Sequence, residues 1–115
     1  MTLLAEKTYA LLKKVPRGKI TTYKSLGDAL GTHGYRAIGQ ILRSNPFAPQ
    51  VPCHRVIASD GTIGGFMGES VGSAIEKKKE LLQDEGIRFS GNNILDFEKV
   101  FFQFSPAVID KLNIK

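Results

Sequence analysis

One short motif in this sequence places a potential nucleophile beside a potential base. The stretch Pro52-Cys53-His54-Arg55-Val56 contains the only cysteine of the chain and one of its two histidines. A thiolate is a far better nucleophile than a thiol, and a neighbouring histidine can serve as the base that produces it. The preceding proline and the apolar residue that follows predict a rigid turn leading into the core, which would hold the sulfur in one place.

A lone cysteine in a small protein has a simpler interpretation as a buried and unreactive apolar residue. Here the flanking segments favour an active-site loop. Asn45-Pro46 opens a proline-containing segment before the cysteine, and Asp60-Gly61 and Gly64-Gly65 follow it. Such residues form turns and loops, and loops held on a rigid scaffold often carry functional residues.

Three helices are predicted ahead of this motif. Thr2 can cap the first helix, in which apolar residues recur at intervals of three and four. Thr21 or Thr22 can cap a second helix that stops at Gly31, and a third helix fits residues 35–43. Two short helices joined by a glycine-flanked turn are typical of a helix-turn-helix.

The third predicted helix has small and donor-rich residues on its outer side. Ala37 and Gly39 add almost no bulk, while Arg36, Gln40 and Arg43 supply hydrogen-bond donors. Such a helix could approach a nucleic-acid groove closely and contact phosphates. The alternative is that its small residues serve contacts between helices within the protein.

The second half of the chain predicts a small β element and another helix. Residues 56–58 and 62–63 flank a turn and indicate a hairpin, the wing of a winged helix. Ser73-Ala74-Ile75-Glu76 has a capping-box pattern and begins a helix whose lysines we interpret as a solvated face. Residues 96–102 indicate a final short helix or strand. We therefore predict a mainly α fold with a small β wing, a winged helix-turn-helix in a single domain.

The composition agrees with a single globular domain. The chain has 115 residues, 42% of them hydrophobic, and we expect the domain to span residues 1–104 with a tail at 105–115. A single cysteine fits a reducing compartment, and neither a signal-peptide pattern nor a membrane-length apolar run is evident. We expect a monomer in the cytoplasm. The formal net charge of +5 favours an anionic partner such as nucleic acid, unless it reflects only a solvated basic surface.

Several motifs together resemble one known family. Pro52-Cys53-His54-Arg55-Val56 is preceded by Arg36-Ala37-Ile38-Gly39 and Asn45-Pro46, and is followed by Gly64 and Leu81-Leu82-Gln83-Asp84-Glu85-Gly86. In this order they resemble the O6-alkylguanine-DNA alkyltransferases, the methylated-DNA-protein-cysteine methyltransferases, in their C-terminal active-site domain. The resemblance extends to about residue 104. It implies direct DNA repair, in which a cysteine takes the alkyl group from the O6 atom of a guanine that has been flipped out of double-stranded DNA.

The resemblance implies a role for each chemical group near the cysteine. Cys53 is the expected nucleophile and alkyl acceptor, and His54 is expected to deprotonate it through a water molecule. Glu85 is expected to orient and polarise His54, although Asp84 and Glu80 lie close by in the sequence.

Further roles follow for residues outside the cysteine motif. Asn45 is expected to hold the active-site turn and Tyr23 to donate to the guanine. Arg36 is expected to fill the gap left by the flipped base, while Ala37 and Gly39 allow close approach in the minor groove. Simpler alternatives remain: Tyr23 as a core aromatic, Asn45 as a turn residue before proline, and Arg36 as a general phosphate contact.

We also expect Val56, Met67 and Gly68 to line the substrate pocket. The family often has Tyr-Ser where this chain has Phe66-Met67, so only a backbone N–H is expected to act there. The segment 68–73 is longer than usual in the family. The N-terminal domain common in the family has no counterpart in these residues, and we expect no cofactor and no metal.

Three functions remain to be distinguished. The leading one is a single-turnover repair alkyltransferase that becomes alkylated at Cys53. The second is an alkyltransferase-like protein that binds the lesion without transfer, although that group lacks the cysteine. The third is a winged-helix DNA-binding regulator, whose binding would not depend on Cys53.

Overall fold

Five helices and two pairs of very short strands make up the part of the chain that the structure describes, a computed structural model covering residues 2–32, 34–47, 50–65 and 72–104. The helices are α1 (Leu3–Leu12), α2 (Tyr23–Leu30), α3 (Tyr35–Arg43), α4 (Ser73–Asp84) and α5 (Phe97–Val100). The strands are β1 (Thr21–Thr22), β2 (Val56–Ile57), β3 (Phe89–Ser90) and β4 (Asn93–Ile94). The mainly α class with a small β part is therefore confirmed.

Capping side chains fix the beginnings of the first two helices. Thr2 Oγ1 accepts a hydrogen bond from Ala5 N at 3.1 Å, and Thr22 Oγ1 accepts one from Ser25 N at 3.0 Å. Gly31 ends α2 with a φ of 72°, a left-handed conformation that a glycine adopts without strain. The predicted N-caps and C-cap are confirmed. Such caps can be predicted because each depends on only a short stretch of sequence.

The first three helices pack together around the larger part of the core. Gly27 of α2 lies against Tyr35 of α3, so closely that a Cβ on the glycine would be 2.4 Å from Tyr35 Cε1. Tyr9 of α1 donates through its hydroxyl to the carbonyl of Ile41 in α3 at 2.7 Å. The buried residues between these helices and the segment that follows them are Ala5, Tyr9, Leu11, Leu12, Val15, Leu26, Ile38, Leu42, Val51, Cys53, Val56 and Phe104.

The strand that follows the cysteine pairs differently from the prediction. β2 runs parallel to β1, with Thr21 opposite Val56 and Thr22 opposite Ile57. The expected hairpin between residues 56–58 and 62–63 is therefore wrong as a strand pair, although Ala58 N does donate to the carbonyl of Thr62 at 3.0 Å. β1, just before α2, thus pairs with β2, just after the cysteine motif.

A second small sheet closes the other end of the molecule. β3 and β4 are antiparallel, and Thr62 forms an isolated bridge to Asn93 beside them. Another bridge joins Ile20 to Phe101, next to α5, so the predicted last element forms a short helix followed by a strand-like contact. The buried residues of this smaller core are Ile20, Ile57, Leu82, Ile87 and Ile94.

Helix α4 departs from the prediction in two ways. It begins at Ser73 as expected, but no side chain caps it, and Glu76 N donates to the carbonyl of Gly72 instead. The capping box is therefore wrong. The lysines do not all face solvent either, because Lys78 is completely buried between Ile75 and Leu82 on the inner face.

Some predictions fall outside the described residues. Met67, Gly68 and the tail at 105–115 are among them. Within the described ranges no helix has the length and apolar content needed to cross a membrane.

Candidate active site

Cys53 opens a single turn of 3₁₀ helix, Cys53–Arg55, between the third helix and β2. The carbonyl of Val51 accepts hydrogen bonds from Cys53 N at 2.9 Å and from Asn45 Nδ2 at 2.8 Å, while Asn45 Oδ1 accepts one from Phe47 N at 2.9 Å. Asn45 thus ties the segment after α3 to the residues just before the cysteine. Cys53 is only 6% exposed, so the turn presents its thiol within the core rather than on an open surface.

The imidazole of His54 lies against the carboxylate of Glu85 at the end of α4. The distance from His54 Nε2 to Glu85 Oε2 is 2.9 Å, and both side chains are almost completely buried. A carboxylate can only accept, so Nε2 carries the proton and Nδ1 of the neutral ring is free to accept one. Burial, together with the charges of Arg55 and Lys78, lowers the pKa of His54 against the opposing effect of Glu85, and this favours the neutral ring.

Arg55 binds the same carboxylate from a second direction. Its Nε donates to Glu85 Oε1 and its Nη2 to Glu85 Oε2, each at 2.8 Å, while Nη1 donates to the carbonyl of Val15 at 2.8 Å. Burial by itself would raise the pKa of Glu85, but the hydrogen bonds from Arg55 and His54 and their charges lower it to about 2. Glu85 is therefore ionised throughout the physiological range.

A buried lysine lies on the other side of the cysteine turn. Lys78 is completely buried, and its Nζ donates to the carbonyls of Val56 and Ile63 at 2.6 Å and to that of Gly65 at 3.0 Å. Burial lowers the pKa of Lys78 to about 7, although the negative charge of a Cys53 thiolate acts in the opposite direction.

Sequence reasoning missed this lysine, yet the sequence contains a signal for it. Ile75, Lys78 and Leu82 are spaced by three and four residues, the spacing of the buried side of α4. A lysine on an apolar stripe marks a position where a charged group enters the core.

Tyr23, the first residue of α2, faces the same region. Its hydroxyl donates to the carbonyl of Gly65 at 3.4 Å, the carbonyl that Lys78 also contacts. Burial and then the charge of Cys53 raise the pKa of Tyr23, so its hydroxyl keeps its proton. Val56, another predicted pocket residue, is fully buried in β2.

The predicted DNA-contact residues lie together on the outer side of α3. Arg36, Ala37, Gln40 and Arg43 are exposed, and Gly39 is half-buried. Among the described residues, a Cβ added to Gly39 would meet no neighbouring atom within 4 Å, so the absence of a side chain there serves no contact that this part of the structure shows. In the structure, this face of α3 is separate from the hydrogen-bond network around Glu85. The segment between α3 and the cysteine turn, which Asn45 stabilises, connects them.

An open cavity of about 510 Å³ lies behind the imidazole and the carboxylate; its lining residues are Arg17, His54, Arg55, Leu81, Asp84 and Glu85. Across the described part of the chain, no group of three or more His, Cys, Asp or Glu side chains is placed to hold a metal ion. The chemistry that this site offers is that of a cysteine, a neutral imidazole and buried charges.

Comparison with known proteins identifies relatives of this chain. The family model described as "6-O-methylguanine DNA methyltransferase, DNA binding domain" matches residues 4–87. The chain is 39% identical over 87 residues to a methylated-DNA–protein-cysteine methyltransferase from Candida glabrata, an alignment that covers 75% of this chain and 40% of the relative. It spans about half the length of the curated relatives that it matches.

Solved structures give the same result. The fold is similar to that of the O6-methylguanine-DNA methyltransferase from Pyrococcus kodakaraensis, with a TM-score of 0.65, 43% identity, and coverage of 76% of this chain and 48% of that chain. It is also similar to Atl1 of S. pombe in complex with damaged DNA, with a TM-score of 0.75 and 25% identity. That alignment covers 90% of this chain and 98% of the Atl1 chain. Since the family model matches most of its length, the chain belongs to the 6-O-methylguanine DNA methyltransferase family.

Proposed function

We propose that this protein repairs DNA by transferring a methyl or other alkyl group from the O6 atom of guanine to its own Cys53. The observation that carries the proposal is the imidazole of His54, held by Glu85 at 2.9 Å, in the residue next to the only cysteine of the chain. Each molecule would act once, because a thiolate is a poor leaving group and the alkyl group therefore stays on the sulfur of Cys53.

The proposed chemistry begins with removal of the thiol proton. Nδ1 of His54 accepts it through a water molecule, and Glu85 stabilises the imidazolium that results. The sulfur then attacks the alkyl carbon, so that the sulfur–carbon bond forms as the bond from carbon to O6 breaks. The electron pair of the broken bond stays on the guanine, which takes up a proton at N1 from water, while the imidazolium of His54 returns the thiol proton to water.

Tyr23 would assist departure of the guanine. Its hydrogen bond to the carbonyl of Gly65 is 3.4 Å long and therefore weak, so the hydroxyl can turn to the base without losing a strong contact. The raised pKa of Tyr23 suits a donor that offsets developing negative charge but does not ionise.

We propose α2 and α3 as a helix-turn-helix, with the outer side of α3 in the minor groove of double-stranded DNA. Arg36 would occupy the space left by the flipped base, and Gln40 and Arg43 would contact the backbone. The open space around Gly39 supports this proposal, because it permits close approach of a partner. The sheet of β3 and β4, rather than the predicted hairpin, is then the candidate wing.

The remaining assignments are proposals of the same kind. We propose that residues 1–104 form the active-site and DNA-binding domain, with Met67 and Gly68 as contacts to the substrate. We also propose that the protein acts as a monomer, in the cellular compartment that contains the DNA.

The proposal is tested by weighing the protein after incubation with a duplex containing one O6-methylguanine. We expect a mass gain of one methyl group per molecule, located at Cys53 by peptide mapping. The Cys53→Ala variant should still bind the modified duplex without any gain. An unchanged mass of the unaltered protein would rule out alkyl transfer.

The similarity to S. pombe Atl1, whose chain is matched over 98% of its length and which was crystallised with DNA containing O6-carboxymethylguanine, favours a second candidate function. A protein of that kind would bind O6-alkylguanine in DNA without accepting the group. The presence of Cys53 favours transfer. Preferential binding of the modified duplex with no change in protein mass would instead identify a lesion-binding protein.

A further inference from the structure

The guanidinium of Arg55 makes three hydrogen bonds, one through each of its nitrogens. Two join it to both oxygens of Glu85, and the third joins it to the carbonyl of Val15, all at 2.8 Å. The side chain is 15% exposed, against 6% for Glu85, so the pair is largely removed from water. A two-pronged contact of this kind fixes the plane of a carboxylate, which a single hydrogen bond from an imidazole does not.

The same contact determines how much negative charge the imidazole experiences. Glu85 Oε2 lies 2.9 Å from His54 Nε2 and 2.8 Å from Arg55 Nη2, so one oxygen serves both groups. A buried carboxylate without a cationic partner would draw a second proton onto the imidazole. An imidazolium has no acceptor left on Nδ1 and cannot receive the proton of a thiol.

The other charged or titratable groups around His54 do not replace this compensation. Lys78 approaches from α4, and Cys53 precedes the histidine in the same turn. Arg17 and Asp84 line the neighbouring cavity, where Arg17 donates to the main-chain carbonyl of Asp84 at 2.7 Å. Among the described hydrogen bonds, only those of Arg55 join a cationic side chain other than His54 to the Glu85 carboxylate.

We infer that Arg55 is a positioning residue for the proposed alkyl transfer: it fixes the Glu85 carboxylate against Nε2 of His54 and compensates its charge, leaving Nδ1 available to the Cys53 proton. This inference rests on the proposed function. A purely structural alternative exists, because Arg55 also joins Val15, in the segment after α1, to the end of α4. The positioning role predicts that the pKa of His54 depends on Arg55, whereas the purely structural role predicts that it does not.

Nuclear magnetic resonance of the imidazole carbon between the two ring nitrogens separates these roles without any activity measurement. His33→Gln makes His54 the only histidine and serves as the background. Adding Arg55→Gln should raise the pKa of His54 by about one unit, since a cation close to the ring is lost. Arg17→Gln, which removes an arginine from the same cavity but not from Glu85, should leave it unchanged.

A double-mutant cycle tests whether Arg55 acts through Glu85. In a Glu85→Gln background the further change Arg55→Gln should produce a smaller shift, because only the direct repulsion between the guanidinium and the imidazolium is then removed. Arg55→Lys, which keeps the charge but not the two-pronged contact, should shift the pKa of His54 less than Arg55→Gln does. Equal pKa values in the background protein and the Arg55→Gln variant would overturn the inference.

The pH dependence of Cys53 methylation supplies the functional readout. With Arg55→Gln, the acidic limb of the rate profile should move upward by about one pH unit, so that the rate on this limb falls about tenfold at a given pH. Because the adjoining cavity of about 510 Å³ is open, guanidinium added at non-denaturing concentration should partly restore the rate of Arg55→Ala, whereas it should leave the rate of Arg17→Ala unchanged.

These outcomes are distinguishable from failure of the proposed function. If the unaltered protein does not become methylated, alkyl transfer is ruled out, while the titration still decides whether Arg55 controls His54. If methylation occurs and the acidic limb of the pH–rate profile is the same for Arg55→Gln and the unaltered protein, then Arg55 has only a structural role, through its contacts with Val15 and Glu85. Circular dichroism and urea unfolding establish that each variant compared is folded.

Discussion

At the level of single residues, the most unusual feature is a buried lysine, Lys78, that has no carboxylate partner among the residues the structure describes. The ammonium of Lys78 is satisfied by three main-chain carbonyls, and burial lowers its pKa to about 7 from a usual value of 10.5. Burying a charge is costly even when it is hydrogen-bonded. The lowered pKa of Lys78 reflects this cost, because burial disfavours the charged form.

This lowered pKa predicts a pH dependence of stability. Between about pH 7 and 10.5 the unfolded chain binds more protons at Lys78 than the folded one, so the free energy of unfolding should rise with pH. Lys78→Met should lack that rise and should lower the free energy of unfolding at pH 9 by about 2 kcal/mol, because buried carbonyls lose their donor. Urea unfolding at pH 6, 7.5 and 9 measures both effects.

Lys79, the next residue of the same helix, provides the control. Its Nζ donates to the exposed carbonyl of Gly91 and lies 5.3 Å from the centre of the Phe89 ring. Lys79→Met should keep the rise in stability with pH. An equal rise in Lys78→Met would show that Lys78 is not the group responsible.

Glu85 predicts a loss of stability in acid. Its pKa in the folded protein is about 2 against a usual value of 4.5, so its stabilising effect is complete above that usual value and is lost as the pH falls towards 2. Glu85→Gln should be destabilised at pH 7 by about 3 kcal/mol, because it leaves Arg55 without its anionic partner. It should also lose less stability than the unaltered protein between pH 5 and 3.

Thermal and urea unfolding across that range provide the measurement, with Asp84→Asn as the matched control. Asp84 precedes Glu85 on the same helix end but is exposed, and no side-chain hydrogen bond joins it to His54 or Arg55 in the described residues. If both variants lose stability in acid as the unaltered protein does, Glu85 does not hold the network together.

The sequence predicted some of this site but not all of it. The neighbours Cys53 and His54 and a downstream acid could be assigned from residue types and family resemblance, and the structure places Glu85, rather than Asp84, on His54. Arg55 and Lys78 were missed because their partners are carbonyls or a carboxylate far away in the sequence. Only the folded chain brings such groups together.

At the level of elements, two glycines on adjacent helices have opposite surroundings. Gly27 in α2 is buried against Tyr35, whereas Gly39 in α3 has open space around its missing Cβ. Glycine within a helix lowers stability by up to ~1 kcal/mol relative to alanine. Gly27 compensates for that cost by allowing close contact between helices, but Gly39 makes no such contact.

The two glycines therefore predict opposite effects of the same substitution. Gly39→Ala should leave the melting temperature unchanged or higher, yet weaken binding to duplex DNA, because the added methyl group separates α3 from the groove. Gly27→Ala should lower the free energy of unfolding by about 2 kcal/mol, since the methyl group overlaps Tyr35. Thermal unfolding and fluorescence anisotropy measure the two effects. Undiminished DNA binding by Gly39→Ala would mean that α3 does not approach DNA closely there.

Helices were easier to predict than strands in this chain. The range 35–43 predicted for the third helix is that of α3, because apolar spacing and flanking glycines are local signals. Each strand has only two residues, too few to show an alternating pattern. The partner of β2 is β1, some thirty-five residues earlier, and the core on which both strands lie determines that pairing rather than the turn at Asp60-Gly61.

At the level of the whole molecule, contacts between distant parts of the chain hold the site together. β1 joins the first helices to the cysteine motif, and the bridge between Ile20 and Phe101 brings the end of the described chain back to its beginning. Arg17 adds a contact from the segment after α1 to the last turn of α4. Glu85 therefore reaches His54 only when both halves of the fold have formed.

The positive charge of the whole molecule predicts how salt affects DNA binding. The net charge is +5, but only charges close to phosphates release counterions; we place Arg43 on the backbone and Arg36 in the minor groove, between the two backbones. Replacing both by glutamine should reduce the slope of log K against log salt by about 1.8, since each such charge contributes about 0.9. Lys77→Gln with Lys99→Gln removes the same charge from exposed positions on α4 and α5. The two lysine substitutions should change the affinity for DNA slightly and the salt slope hardly at all. Equal effects of the arginine pair and the lysine pair would show that binding follows net charge rather than contacts of α3.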